Sequence, residues 1–504
     1  MTMNKKIIFW LDSNLTYFCL AHFLQKELDA DFYAIIDVTN KTRSFYENQN
    51  LVNFKKVWFL HDHILPLRKP DLEYLSLFEK TYNIELWKLA INDRIFNHYN
   101  DFYNFTRNEI LSILQNESKL FESVLHEINP DYVIMHEPYQ LPDELFFELA
   151  KSLQISVLAS FKSHLGYKSE IAENIHYADN ISNMKNKSTY RSFDELKNYN
   201  ESFNLSNKIK KQNIDPFGNN TDIFNAAIDY IFKTSDDNTE THYTYFGHSK
   251  IKTVLNAISN SLKTRRRWKY LDKHLVKKPD LRKKFIYYPL HIEQERSTLI
   301  VTPFFTDDIE FIEIIAKSIP IDYHLYVKEH PSQITRHWRD KKFYQKLNRI
   351  PNVTTIHPNT SSLELVKNCA MVITRSGTAA LEAAFYQKSA ITCADFDFIL
   401  LPSIERLMRV EELPKLISKC LEKKMDPKIL DQYVSFKEEN TSEFDISDFD
   451  TRIVNRFFHG GRFVDVIITN EKMLEFLNEN EDSLKGFTKA YLEKIKFFKE
   501  ENNS

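Results

Sequence analysis

Two series of short, wholly apolar runs, each separated by longer amphipathic stretches, limit what this chain can fold into. The first series contains Ile7 to Leu11, Phe32 to Val38, Val57 to Leu60, Tyr132 to Met135 and Ser156 to Ala159. Between the runs, apolar residues recur at helical spacing, as in Leu15, Phe18, Cys19, Phe23 and Leu24. Further helices are predicted around 71–82, 84–98, 106–128 and 141–153. The second series starts at Phe285-Ile286-Tyr287-Tyr288 and continues through Tyr323 to Lys328, Val353 to Ile356, Ala370 to Thr374 and Ala390 to Ala394. Runs this short, flanked by helices, read as strands of parallel βαβ units. The expected fold class is α/β, with two Rossmann-like doubly wound domains facing a cleft. A chain of 504 residues is long enough to bury two cores.

The expected division is a first domain over 1–245, a helical linker over 246–284, a second domain over 285–440 and a helical segment over 441–504. Residues 168 to about 222 are polar and weakly periodic, and read as an irregular excursion on the first domain. The linker carries a basic cluster, Arg265-Arg266-Arg267-Trp268-Lys269. Such clusters are usually solvated; the other reading is contact with anionic lipid or a polyanionic acceptor.

Charge and cysteine content exclude several classes. The formal net charge is −3, so no global footprint for nucleic acid exists. Cys19, Cys369, Cys393 and Cys420 lack the spacing of a disulfide framework or a zinc site. No apolar run approaches the length of a membrane span, and the apolar start ends too soon, at Asp12, for a signal peptide. The expectation is a cytoplasmic protein, with loose peripheral contact at the inner membrane face as its only membrane role. His61-Asp62-His63 lacks a nearby third metal ligand and reads as a solvated loop. His459-Gly460-Gly461 reads as a helix-ending turn.

Ligands of open α/β sheets bind beyond the carboxyl ends of the strands, and three motifs sit there. Thr374-Arg375-Ser376-Gly377-Thr378 follows a strand and opens a helix through Ala379-Ala380-Leu381-Glu382-Ala383. Free N–H groups, the helix dipole and the Ser376 and Thr378 hydroxyls make such a turn an anion site. Gly377 would let a phosphate approach the backbone, and Glu382 would accept from ribose hydroxyls. The alternative is a plain capped helix. In Tyr326-Val327-Lys328-Glu329-His330-Pro331, proline stops a strand beside His330, an imidazole able to meet a phosphate and neutralise a leaving nucleotide. Lys328 and Glu329 alternate about the strand, so at most one faces the cleft. Tyr288-Pro289-Leu290-His291 leads to Glu295, Ser297 and Thr298 in the same way.

In order and spacing, these three motifs resemble the capsule polysaccharide biosynthesis family that includes the bacterial β-Kdo transferases. The correspondence runs through Pro289-Leu290-His291, Glu295-Arg296-Ser297-Thr298, Tyr326 to Pro331, and Ser376 to Ala383. It departs at Gln294, where the family often has proline, and at Arg296 and Arg375. The resemblance implies a GT-B fold with a CMP-activated acidic sugar held mainly by the second domain. It implies donor contacts from His291, Lys328, His330, Pro331, Arg375, Ser376, Gly377, Thr378 and Glu382. It implies no metal and no cofactor, since the leaving group is a nucleoside monophosphate. The expected partners are a nucleotide-sugar donor and a glycolipid or oligosaccharide acceptor, with no nucleic acid. A UDP-sugar-dependent transferase or epimerase, or a non-catalytic assembly protein, are the alternatives.

On the acceptor side, a hydroxyl needs a base within hydrogen-bond reach. Asp12 ends the first strand, and His136-Glu137-Pro138 follows another. Glu137 is the first candidate base and Asp12 the second; the bland reading of either is a solvated loop carboxylate.

Overall fold

The computed structural model describes residues 4–98, 100–175, 177–186, 189–203, 237–293, 295–334, 339–423, 425–458 and 465–501. Gln294, residues 204–222 of the polar excursion and His459-Gly460-Gly461 lie outside the described residues. The strands, in chain order, are β1 (Lys5–Asp12), β2 (Ala30–Asp37), β3 (Phe54–Phe59), β4 (Tyr132–His136), β5 (Ser156–Lys162), β6 (Ser169–Ala172), β7 (Phe285–Pro289), β8 (His324–Lys328), β9 (Val353–Ile356), β10 (Met371–Thr374), β11 (Ser389–Thr392), β12 (Ile404–Arg406) and β13 (Thr441–Ser442).

They form two sheets. The first has the order β13-β6-β5-β4-β1-β2-β3 and is parallel from β3 through β5; β6 and β13 add an antiparallel edge. The second, β12-β11-β10-β7-β8-β9, is parallel throughout. Each sheet starts near its middle, builds two strands outward to one side, then crosses back to build the other. This is the doubly wound Rossmann order, and its reversal opens a crevice between the first and fourth strands. In the first sheet that crevice lies at the ends of β1 and β4, and in the second at the ends of β7 and β10. Two Rossmann-like domains facing a cleft constitute the GT-B-like arrangement.

The side-chain period of two explains why the runs are continuously apolar. Ile7, Phe9 and Leu11 face one layer of the first domain, while Ile8 and Trp10 face the other. The helices Arg107–Ile128 and Leu141–Ser152 cover the second of these faces. Thr106 caps the former through a reciprocal capping box with Glu109.

Two segments pack where sequence reading does not put them. The described part of the polar excursion was expected on the first domain, but Ala178, Met184 and Leu196 enter the second domain's core beside Phe285 and Tyr433. Its Thr189 and Arg191 are held by the buried carboxylate of Asp431. Conversely, the closing helices Ile446–Phe457, Asn470–Glu479 and Glu481–Glu501 return to the first domain. Their Phe449, Ile453, Met473, Phe487 and Tyr491 share one core with Ile7 and Phe9. The helix Pro427–Asn440 links the two domains: its fully buried Lys437 bridges Glu170 of β6 and Asp397 of the second domain. His61 is also not a solvated loop residue, because its Nε2 bonds Asp37 at 2.9 Å and its ring lies 3.8 Å from that of His242.

Candidate functional site

At the first crevice, the aligned register of β1 and β4 brings Asp12 and His136 together. Asp12 Oδ1 accepts from the Asn14 N–H and Oδ2 from the Tyr139 hydroxyl at 2.7 Å, with His136 Nε2 at 3.4 Å. Burial pushes this carboxyl up, but His136, Tyr139 and Asn14 more than offset it and hold it below the usual range. A buried, depressed carboxylate with its oxygens engaged is a poor base. This corrects the expectation for Asp12, which instead positions His136.

His136 had no assigned role in the sequence reading. Burial alone would lower its pKa; the flanking carboxylates of Asp12 and Asp143 raise it to about 9, making it a fixed cation. Asp143 is set by the start of the helix Leu141–Ser152, where it accepts from the Tyr139 and Gln140 N–H groups. Glu137 follows His136 and lies half-buried at the edge of the crevice. Burial pushes its carboxyl above the ordinary range against the pull of Arg296 and His136, the direction a general base needs.

At the second crevice, His291 meets the turn after β10. Its Nε2 accepts from the Ser376 N–H at 3.3 Å and lies 3.2 Å from the Thr374 hydroxyl. Nε2 is therefore the unprotonated nitrogen and Nδ1 carries the hydrogen. Burial, followed by the Arg375 charge, lowers the imidazole to about 3, so it is neutral. Gly377 leaves space for this ring: a Cβ there would lie 2.8 Å from Thr374 Oγ1 and 3.2 Å from His291 Nε2. The glycine therefore accommodates Thr374 and His291 within the fold itself.

The Ser376 hydroxyl donates to the Ser297 carbonyl, so the motifs around 297 and 376 are joined directly. Thr378 is exposed, and its hydroxyl donates to the half-buried Glu382 at 3.3 Å. Pro331 opens a short 3₁₀ turn after β8. His330 Nδ1 accepts from the Ser332 N–H, and the ring is near enough to His291 for its charge to disfavour protonation there.

Two expected donor contacts are engaged elsewhere. Arg375 is buried; it pairs with Asp308 at 2.9 Å and donates to the Phe305 and Thr306 carbonyls. Lys328 is also buried, donating to the Glu329 carbonyl, and burial lowers its pKa to about 8. Neither Lys328 nor Glu329 faces the cleft.

Glu329 belongs to an inner network that sequence reading missed. The fully buried Arg339 grips Glu329 with two hydrogen bonds, at 2.8 and 3.0 Å, and also holds Asp308 and the His291 carbonyl. Tyr344 donates to Glu329, and Tyr288 to Asp308. The network ties the ends of β7 and β8 together, which places His291 and His330 side by side.

Among the described residues, an ion pair joins the two edges. Glu137 Oε1 lies 2.6 Å from Arg296 Nη1, which comes from the short helix Arg296–Leu299 after β7. The remaining Arg296 nitrogens, Nε and Nη2, are buried and have no hydrogen-bond partner among the described residues. Beside them is a cavity of about 10 Å³, lined by Asn92, Arg94, Tyr139, Gln140 and Glu144 among others. Burial raises the Glu144 carboxyl to about 8.

No protein-family model matches the sequence, and no curated protein matches it. Solved structures of similar arrangement include the Methanocaldococcus jannaschii UDP-GlcNAc 2-epimerase in complex with UDP-GlcNAc and UDP, at 15% identity over 86% of this chain and 99% of that one, TM-score 0.26. Another is Thermosulfurimonas dismutans KpsC, a β-Kdo 2,7 transferase, at 11% identity over 74% and 97%, TM-score 0.29. A third is Anabaena Alr3699/HepE in complex with UDP and glucose, at 12% identity over 90% and 99%, TM-score 0.25. At such identities and TM-scores, the fold assignment rests on this chain's own strand order.

Proposed function

We propose that this protein is a glycosyltransferase that moves Kdo, or a related acidic sugar, from a CMP donor to a glycolipid or glycan acceptor in surface polysaccharide synthesis. The observation that carries the reading is the pairing of two Rossmann crevices through Glu137 and Arg296. One crevice offers a carboxylate with a raised pKa, and the other a neutral imidazole beside a helix-opening turn. In this reading the donor phosphate lies against His330, Thr378 and the turn at Ser376, and Glu382 receives ribose hydroxyls. Glu137 takes the proton from the acceptor hydroxyl as the glycosidic bond forms and the nucleoside monophosphate leaves. Arg296 supports an acidic sugar as the cation where the two edges meet.

Calorimetry with CMP, CDP and UDP tests the reading. CMP should bind the wild-type protein, and His330→Ala should weaken binding by about tenfold to a hundredfold, the loss of one charge-assisted bond worth roughly 1.5–3 kcal/mol. Binding of UDP in preference to CMP would move the protein to the UDP-sugar class. CMP affinity unchanged in His330→Ala would remove His330 from the site.

A further inference from the structure

The helix Lys250–His274 joins the two domains and has 25 residues, a length of about 37 Å. It is fastened at both ends. Lys252 Nζ donates to the Phe102 carbonyl at 2.6 Å in the first domain. At the other end Leu271 is fully buried in the second domain's core, and Trp268 packs on the His357 ring. Between these ends, none of residues 250–270 is buried.

Its outer face has a definite order. Ile251, Leu255, Ile258 and Leu262 are large aliphatic side chains left 72%, 61%, 47% and 51% exposed. Their spacing puts them on one stripe of an α-helix. The same stripe continues through Arg266, Lys269 and Lys273, all exposed. One face is thus aliphatic over its first half and cationic over its second. The whole helix carries eight Lys and Arg residues against one acid, Asp272, in a chain of net charge −3.

Charge and shape together select the partner. A nucleic acid would match the cations but leave four aliphatic side chains unmatched. A parallel second copy would set cation against cation. A bilayer containing anionic lipid matches both halves: acyl chains take the aliphatic stripe and headgroup phosphates the cations. We propose that the exposed face of the helix Lys250–His274 docks the protein on an anionic membrane surface, lying in the plane of the interface. The surface lies outside the proposed nucleotide-sugar site and stands independently of that reading.

The test is cosedimentation of the full chain with vesicles of phosphatidylcholine alone or mixed with phosphatidylglycerol. Wild-type protein should pellet with the mixed vesicles, stay in the supernatant with the neutral ones, and be released by salt. Arg266→Glu with Lys269→Glu, and separately Leu255→Ser with Ile258→Ser, should each weaken binding at least tenfold at unchanged melting temperature, since all four side chains are exposed. Failure of the wild type to pellet, or binding by either double variant as tight as the wild type's, overturns the proposal. So does a dimer, seen by light scattering, that the Leu255→Ser and Ile258→Ser pair dissociates, because the stripe would then bind a second copy.

Discussion

Glu137 and Arg296, one from each domain, meet at 2.6 Å across the cleft and join the carboxyl edges of the two sheets. The proposed base therefore rests paired with Arg296. Glu137→Gln should lower transfer by about a hundredfold or more, the usual scale of a lost general base. CMP affinity should stay near the wild-type value, because Glu137 lies on the opposite domain. Calorimetry beside a turnover assay checks both; full activity in Glu137→Gln removes the assignment.

Gly377→Ala should act through His291. The new methyl would collide with Thr374 Oγ1 and crowd the imidazole, and Thr374 is fully buried with little freedom to retreat. Overpacking of this kind costs about 1–3 kcal/mol. Urea unfolding should report that loss, and CMP binding should weaken with it. Unchanged stability would mean that the turn relaxes freely.

Arg339→Met should destabilise the second domain by about 3–5 kcal/mol, since it leaves Glu329 as a buried carboxylate without its cation and Asp308 with Arg375 alone. Urea unfolding of the purified variant measures this. A loss below about 1 kcal/mol would show that the network is less tightly coupled than its geometry implies.

The pH dependence of stability should carry the mark of His136. Its pKa of about 9 in the folded protein exceeds the ordinary value of about 6.5. A raised folded pKa stabilises fully below the unfolded value and is lost as pH rises through the folded one. Urea midpoints should therefore fall as pH rises from about 6.5 past about 9. His136→Gln should be less stable at neutral pH and lack most of that slope. A parallel slope in the variant would place the titrating group elsewhere.

Strand positions were legible in the sequence because a parallel strand buried on both faces must be apolar at every position. Phe285-Ile286-Tyr287-Tyr288 and Met371-Val372-Ile373 are cases of this, and both are strands. Side-chain commitments were less legible. Arg375 sits in a motif suited to anions, yet its charge answers Asp308, a residue 67 positions earlier that the second domain's packing brings alongside it. Arg339 left no local signal, since nothing near it in sequence shows that Glu293, Asp308, Glu329 and the His291 carbonyl converge on it. His136 was visible as a residue, and its neighbours Glu137 and Pro138 drew attention to the turn. Its charge state depends on Asp12, which arrives from β1. The attachment of the closing helices was illegible for the same reason: an amphipathic helix declares that it has a buried face but not which sheet covers it.

That attachment affects the order of assembly during synthesis. The first domain leaves the ribosome before the second, yet one layer of its core needs Phe449, Met473, Phe487 and Tyr491, which are translated after the second domain. The second domain has all its strands by Arg406 and its bridging helix by Asn440. The usual order in which amino-terminal domains finish first is thus inverted. Until the closing helices emerge, the helices Thr16–Glu27 and Asn40–Asn48 cover this layer only in part, and the nascent chain presents the apolar surface that Phe449, Met473, Phe487 and Tyr491 later share.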